Sequence, residues 1–459
     1  MSEKYDVIII GAGPAGIFTA LELVKKDHLK ILIIEKGQDL KYRASLTNGR
    51  RRPKDKFAIL SGWGGAGAFS DGKLTLSTEV GGWLTEYITD EELQALIEYA
   101  DQTYKDFGAP EQEHGTDESK VAKISSQAEK AGLSLIPSKI RHLGTDNEYK
   151  ILGEMKKHLN DKIDILFETE VDEILVSKEK VVGVKTADGK TFESEYVVAA
   201  PGRAAASWLV KEAERLKLGS SANAVDIGVR VEVPATILEP LTGVLYEPKL
   251  IYKTKEFGDR IRTFCMNPYG EVSLEVSPDL VTVNGHSYAN RRTENTNFAL
   301  LVSTKFTEPF KEPIAYGKYI ARLANLLGDG IIIQRLADLK DGQRSTKERI
   351  KSSTLKPTLD KATPGDLSFV LPYRYIANIL EMLEVLDKMA PGINARNTLL
   401  YGVEVKFYSA RINLSKRLET KVKNLYAIGD GAGITRGLIQ SSCCGILTAT
   451  DILRKRGKI

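Results

Sequence analysis

Apolar positions along this chain fall into short continuous runs and into helical repeats, and their order predicts the architecture. Tyr5 to Ile10 and Ile31 to Ile34 are continuous runs of strand length with a helix pattern between them that starts at Pro14, so the chain opens as strand, helix, strand. Thr89 to Phe107 repeats at helical spacing, with Thr89 or Asp90 as N-cap and Gly108 as stop. Asp117 to Gly132 and Glu148 to Leu159 predict two more helices. A strand follows over Ile163 to Phe167, then a hairpin from Val181 to Phe192 turning at Asp188-Gly189, then a buried strand from Tyr196 that Pro201-Gly202 breaks. From Ala224 to about Asn394 strands dominate, clearest at Asp226 to Glu232, Leu250 to Tyr252, Ile261 to Met266 and Ala299 to Ser303, with helices over Ile314 to Leu327 and Tyr375 to Met389. Leu399 to Lys406 starts a return, and a last strand ending at Ile428 precedes a helix from near Gly437 to Leu453.

The first strand–helix–strand carries Gly11-Ala12-Gly13-Pro14-Ala15-Gly16, with Glu35-Lys36 at the end of the second strand, nineteen residues past Gly16. Gly11 suits the tight turn, Gly13 lets backbone approach a pyrophosphate, and Gly16 lets the helix pack on the sheet, while the helix N-terminus offers free N–H groups to a phosphate. Glu35 stands where an acid accepts hydrogen bonds from a ribose diol. This is a dinucleotide site. FAD rather than NAD follows from the other end of the chain, where Gly429-Asp430-Gly431-Ala432-Gly433 ends a strand. There a carboxylate can meet ribityl hydroxyls, and Gly437, Leu438 and Ile439 open a helix whose N-terminus suits the flavin pyrimidine ring. Midway, Ala200, Gly202 and Arg203 end the third strand, and resemblance to two-dinucleotide-fold flavoproteins implies an adenine contact at Val171. The order of these elements resembles the FAD fold shared by para-hydroxybenzoate hydroxylase-like and glutathione reductase-like enzymes.

Bulk properties remove other classes. The net charge is +4 over 459 residues, no basic stretch is interleaved with aromatics, and the densest cluster, Arg50-Arg51-Arg52, reads as a solvated loop, so no nucleic acid is expected. Three cysteines, Cys265, Cys443 and Cys444, without a C-x-x-C, argue for a reducing compartment and against a redox disulfide or a metal site. The chain enters its first strand almost at Met1 and its apolar runs are strand-sized, so a cytoplasmic protein without membrane insertion is expected.

Ser61-Gly62-Trp63-Gly64-Gly65-Ala66-Gly67-Ala68-Phe69-Ser70-Asp71-Gly72-Lys73-Leu74, Arg141 to Asp146, the Asp226 to Glu232 run, Arg262 to Pro268 and Val283 to Ser287 together resemble the bacterial and archaeal family of uncharacterised FAD-dependent dehydrogenases nearly end to end. The resemblance implies fold and cofactor, not substrate. The chain departs from the family at Asn267, where many members have a second cysteine, and at Lys406 to Ala410, where many have Arg-x-Ser-Ser-Pro.

Gly62, Gly64 and Gly67 formally repeat the dinucleotide pattern, but no acid follows on a second strand. A loop along the flavin pyrophosphate and ring edge is the better reading, with Gly64, Gly65, Ala66, Phe69 and Ser70 as contacts. Without a second nucleotide domain, NAD(P)H would serve as a transient donor through the substrate side, or a redox partner protein would replace it. For acid–base or substrate-binding work the candidates are His142, Arg230 and Lys73, then His286 and Tyr288. His142 lies in a polar turn, and Arg230 stands opposite Val229 and Val231 on its strand, facing either a substrate carboxylate or solvent. Cys443 and Cys444 read as close packing rather than nucleophiles.

The expectation is an α/β protein, with a discontinuous Rossmann-type FAD-binding domain over 1–80, 148–223 and 395–459, a helical insertion over 81–147 and a strand-rich α+β substrate domain over 224–394. Its expected activity is an FAD-dependent dehydrogenase or reductase passing hydride between flavin N5 and a small-molecule substrate. A flavin monooxygenase and a non-catalytic flavin-binding protein stay open as alternatives.

Overall fold

The computed structural model describes residues 3–458 except 27, 48–59, 71, 222, 224, 278, 279, 289, 290, 305, 307–311 and 408. Arg50-Arg51-Arg52 and Asp71 therefore lie outside the described residues, as does the side chain of Phe69. The chain divides into two compact units, one of Met1–Gln112, Arg141–Asn223 and Tyr408–Ile459, the other of Glu113–Ile140 and Ala224–Phe407.

The first unit is built on a seven-stranded sheet. Glu3–Ile10 runs parallel to Ile31–Ile34 on one side and to Thr191–Ala199 on the other. Asp164–Leu166 extends the sheet beyond Ile31–Ile34, and Leu425–Ala427 lies parallel to Thr191–Ala199. The hairpin strand Lys180–Thr186 and then Val171–Ser177 add antiparallel edges. Ile8, Ile9, Leu32, Ile33, Val197 and Val198 are buried, as expected for parallel strands covered on both faces. Two helices, Pro14–Leu23 and Leu438–Lys455, pack on each other through small residues. A Cβ on Gly445 would lie 2.3 Å from the Ala15 carbonyl oxygen, so glycine sets how close these helices come.

The second unit carries an eight-stranded sheet in the order Thr363–Pro364, Ile332–Arg335, Leu399–Lys406, Val225–Pro234, Asn295–Thr304, Arg260–Asn267, Lys249–Lys253, Ser134–Ile136. Alternation along Val225–Pro234 sends Ile227, Val229, Val231 and Val233 into one apolar cluster with helix Tyr373–Asp387. The intervening Asp226, Arg230 and Glu232 occupy the other face, and they too are buried.

Two expected boundaries change. Residues 81–147 do not form one insertion: helix Asp90–Asp106 belongs to the first unit, whereas helix Glu118–Ala131 and strand Ser134–Ile136 belong to the second, where Ser134–Ile136 pairs with Lys249–Lys253. The return to the first unit comes at 408 rather than 395, because Leu399–Lys406 is bonded within the second sheet to Val225–Pro234 and to Ile332–Arg335.

Candidate cofactor site

The site in the first unit is built where the parallel strands end. Gly11 leaves the first strand at φ 105°, and a Cβ there would meet the Ala200 carbonyl oxygen at 2.3 Å, so the turn admits only glycine. A Cβ on Gly16 would stand 2.0 Å from the Gly11 carbonyl oxygen, which ties helix to strand. Gly13 is different. Its φ of −81° and ψ of −179° suit any residue, and a Cβ would meet nothing within 4 Å. The fold therefore does not require glycine at 13, and the open space before it fits a ligand that comes close to the backbone. Ala15 and Gly16 sit in the first helical turn, so their N–H groups have no carbonyl one turn behind and point to that end.

The glycine-rich segment lies against this helix start. Gly64 donates its N–H to the Ala12 carbonyl at 2.8 Å, a Cβ on Gly65 would be 3.1 Å from Gly13 Cα, and one on Gly67 would be 2.6 Å from Leu438 Cδ2. Ala66 and Ser70, half-buried, lie in and just after the short turn Gly65–Phe69. Gly13, Pro14, Gly64, Gly65, Gly67 and Leu438 are thus brought together. Gly429 joins them, since a Cβ there would be 3.2 Å from Ala15 Cβ, and Gly431 packs on the Gly202 carbonyl.

Glu35 is buried and accepts from three backbone N–H groups, Ala12 at 2.8 Å on Oε2, and Gly37 at 2.8 Å and Gly62 at 2.9 Å on Oε1. Its first task is therefore internal, holding both glycine loops, and only Oε2 keeps an acceptor direction for a ribose hydroxyl. The Thr169 N–H donates to the Glu35 carbonyl, which brings the chain leading to Val171 to this strand end. Lys36 Nζ is 3.5 Å from the Ala204 carbonyl, beside Arg203.

At the other end of the site, Asp430 Oδ1 accepts from Thr435 Oγ1 at 2.7 Å and from Ser441 Oγ at 3.2 Å, while Oδ2 stands 3.9 Å from Arg203 Nε. Burial pushes the Asp430 carboxyl above its ordinary value, against the pull of Arg203, the two hydroxyls and Arg436. About a quarter of its side chain stays accessible, room for a hydroxyl-bearing ligand beside the carboxylate. Gly437 caps the helix whose first turn, Leu438 to Gln440, leaves three N–H groups without intrahelical acceptors.

These residues fit FAD. Gly13, Ala15 and Gly16 would hold the pyrophosphate, Glu35 the adenosine ribose, Asp430 the ribityl chain, and the N-terminus at Gly437 to Ile439 the pyrimidine ring.

The acid–base candidates are less coherent. Lys73 begins strand Lys73–Leu76 and His142 ends Lys139–His142, both half-buried, and the Leu143 N–H donates to the Gly72 carbonyl, so the two segments are neighbours. Arg230, His286 and Tyr288 belong to the second unit. Arg230 faces neither substrate nor solvent. It is fully buried, forms a fork with Glu404 at 2.8 and 2.9 Å, and donates to Asn297, to the Cys265 carbonyl and, at 3.4 Å, to Asn284, which uses its five N–H groups inside the unit. Tyr288 donates to Glu271 at 2.9 Å. Cys443 and Cys444 are buried, and burial pushes the Cys444 thiol up to about 12, which suits packing rather than nucleophilic chemistry.

Sequence reasoning missed several residues here. Arg43 is buried and donates to the carbonyls of Trp63 and, at 2.7 Å, Gly65, fixing the glycine loop. Glu148 is buried and accepts from Ser70 Oγ at 3.1 Å. Thr435 and Ser441, flanking the start of the last helix, had the one readable signal, hydroxyls following an acid that ends a strand.

Among known proteins, residues 6–220 match the family described as FAD dependent oxidoreductase, and residues 225–407 match the family described as FAD-dependent protein, C-terminal domain-like. An uncharacterized protein of Clostridium beijerinckii is 27% identical over 488 residues, spanning 98% of this chain and 81% of that protein. Among solved structures, L-proline dehydrogenase from P. horikoshii is similar with 12% identity and a TM-score of 0.44, covering 100% of this chain and 95% of that one. Glycine oxidase from Geobacillus kaustophilus is similar with 14% identity and a TM-score of 0.42, covering 99% and 95%.

Proposed function

From the premise that this chain is an FAD-dependent oxidoreductase, we propose that it is a dehydrogenase or reductase moving hydride between flavin N5 and a small organic molecule. The observation that carries the cofactor half of this reading is Gly13, a glycine that the fold itself does not need.

FAD supplies the hydride chemistry when bound. The chain supplies binding and charge. Ala15 and Gly16 offer N–H groups to the pyrophosphate, Asp430 Oδ2 accepts from the ribityl chain, and the helix opening at Leu438 sets its positive end against the pyrimidine ring, where reduction places negative charge. Gly429 to Gly433 lacks the histidine and following proline typical of flavin hydroxylases, which favours dehydrogenation over oxygen insertion. The second glycine pattern at Gly62 to Gly67 packs against Gly13 and Leu438, which supports a role in the flavin site rather than in a nicotinamide domain. NAD(P)H is then at most a transient donor, and a redox partner protein is the other source of electrons. No helix among the described residues is long and apolar enough to cross a membrane. Three cysteines, none of them disulfide-bonded, support a cytoplasmic setting for the same reading.

The test is anaerobic stopped-flow of the purified holoprotein against NADH, NADPH and a panel of enones, 2-hydroxy acids and amines, followed by turnover under labelled oxygen. Turnover that continues anaerobically with an artificial acceptor or donor is expected. An atom of molecular oxygen in the product would replace this reading with a monooxygenase.

A further inference from the structure

The hydroxyls around Asp430 are held by the backbone rather than by the acid they serve. Residues 434–436 lie beside 81–83 in a short antiparallel bridge: Trp83 N–H donates to the Ile434 carbonyl at 2.9 Å, Gly82 pairs with Thr435, and Arg436 N–H donates to the Gly81 carbonyl at 2.8 Å. The Arg436 guanidinium lies over the Trp83 ring, 4.0 Å from its centroid, which pins the same segment from its side chain. Ser441 is fixed independently, its N–H bonded to the Gly437 carbonyl in the last helix. Thr435 Oγ1 and Ser441 Oγ are 2.8 Å apart, buried, and both within reach of Asp430 Oδ1.

With Thr435 Oγ1 and Ser441 Oγ donating to Oδ1, Oδ2 is the oxygen on which a proton leaves both hydrogen bonds intact. Protonation there turns an acceptor into a donor where the ribityl hydroxyls are to be bound. We propose that Thr435 and Ser441 are positioning residues for the cofactor, holding Oδ1 of Asp430 and thereby setting the pH below which the protein releases FAD. The proposal rests on the reading that Asp430 meets the ribityl chain. The other groups facing the carboxylate are Arg203, Arg436 and the Cys444 thiol. Burial holds the thiol protonated and raises the Asp430 carboxyl, so Asp430 is the group of this cluster whose ionisation changes on the acid side. Affinity is expected to fall as the pH falls, because the ionised carboxylate is the stronger acceptor for a ribityl O–H. Removing hydroxyls that bind the ionised form moves that loss to higher pH.

The experiment is titration of the apoprotein with FAD, followed by flavin fluorescence from pH 5.0 to 8.5, on wild type, Asp430→Asn, Thr435→Ser, Ser441→Ala and Thr435→Val/Ser441→Ala, with thermal melting of each apoprotein. Wild type is expected to lose affinity on the acid side. Asp430→Asn should bind about tenfold more weakly or worse and without an acid limb. Thr435→Val/Ser441→Ala should move the acid limb up by about one pH unit while approaching wild-type affinity at pH 8.5, Ser441→Ala should move it part of the way, and Thr435→Ser should restore it. A double variant with the wild-type acid limb, or with an equal loss at every pH, overturns the proposal. If the double variant does not fold, an unmoved limb in Ser441→Ala overturns it instead. An Asp430→Asn protein that binds FAD as wild type does overturns the underlying placement of the ribityl chain, an outcome distinct from either of those.

Discussion

Gly13 and Gly16 belong to one motif, yet alanine at each should fail for opposite reasons. At 13 the backbone already has angles open to alanine, and the new methyl meets no protein atom within 4 Å. The fold should therefore tolerate Gly13→Ala: a weaker N-cap costs a few tenths to about 1 kcal/mol, and the stiffer unfolded chain returns about 0.4–1 kcal/mol. The methyl would instead occupy the space assigned to the pyrophosphate. Losing two charge-assisted hydrogen bonds of about 1.5–3 kcal/mol each weakens FAD binding by about 3–6 kcal/mol, roughly a hundredfold to ten-thousandfold. At 16 the methyl would stand 2.0 Å from the Gly11 carbonyl oxygen and 3.2 Å from Ile9 Cγ2. The first of these is backbone and cannot rotate away, so helix and strand must part, at a cost of about 1–3 kcal/mol or more in stability. Thermal melting of both apoproteins and fluorescence titration with FAD separate the cases. Gly13→Ala should melt within a few degrees of wild type and bind poorly, whereas Gly16→Ala should melt early. A Gly13→Ala protein that keeps FAD within about threefold of wild type, or that is destabilised as much as Gly16→Ala, would refute the assignment of that space to the cofactor.

Glu35→Gln should lower stability by about 1–3 kcal/mol even without cofactor, because an amide NH₂ replaces an oxygen facing the backbone N–H of Ala12, Gly37 or Gly62; denaturation of the apoprotein measures it, and a loss seen only with FAD present would contradict the internal role. Arg230→Met should destabilise the second unit by roughly 3 kcal/mol, the low end for a broken buried pair, since Glu404 keeps Lys406 at 3.2 Å; a change below about 1 kcal/mol in denaturant unfolding would deny the pair its role. A thiol reagent should titrate at most one cysteine in the native protein, the half-exposed Cys265, and three after unfolding; rapid native modification of Cys443 or Cys444 would contradict their burial.

The parts of this molecule that were legible in its sequence are those whose causes are local. The N-cap hydroxyl of Thr89 accepts from the Glu92 N–H, Asp117 caps the next helix through Lys120, and the strands around Gly11 to Gly16 follow from apolar runs on either side of a turn. The glycine motif was readable as a motif, but not the division of labour inside it. Gly11 and Gly16 answer to carbonyl oxygens that only the folded chain brings near, and Gly13 answers to no protein atom. The unit boundary was misread for a related reason. Leu399 to Lys406 reads plainly as a strand, but its membership in the second sheet is decided by pairing with Val225–Pro234, more than 160 residues earlier.

Arg230 shows most sharply where a pattern stops. Alternation placed it correctly on the face opposite Val229 and Val231, and a charged residue on that face suggested either solvent or a bound carboxylate. What alternation cannot report is a partner 174 residues away. Glu404 stands on the neighbouring strand to one side and Asn297 on the neighbouring strand to the other, and together they consume donors that would otherwise be open to a ligand. A period-two pattern describes one strand, whereas the chemistry of a sheet face is a property of several strands in register. For the same reason the glycine motif of the first unit was more readable than the buried polar face of the second. A pyrophosphate is held by consecutive backbone groups within one turn, while a substrate-binding face is assembled from side chains that the sequence scatters and only the sheet aligns.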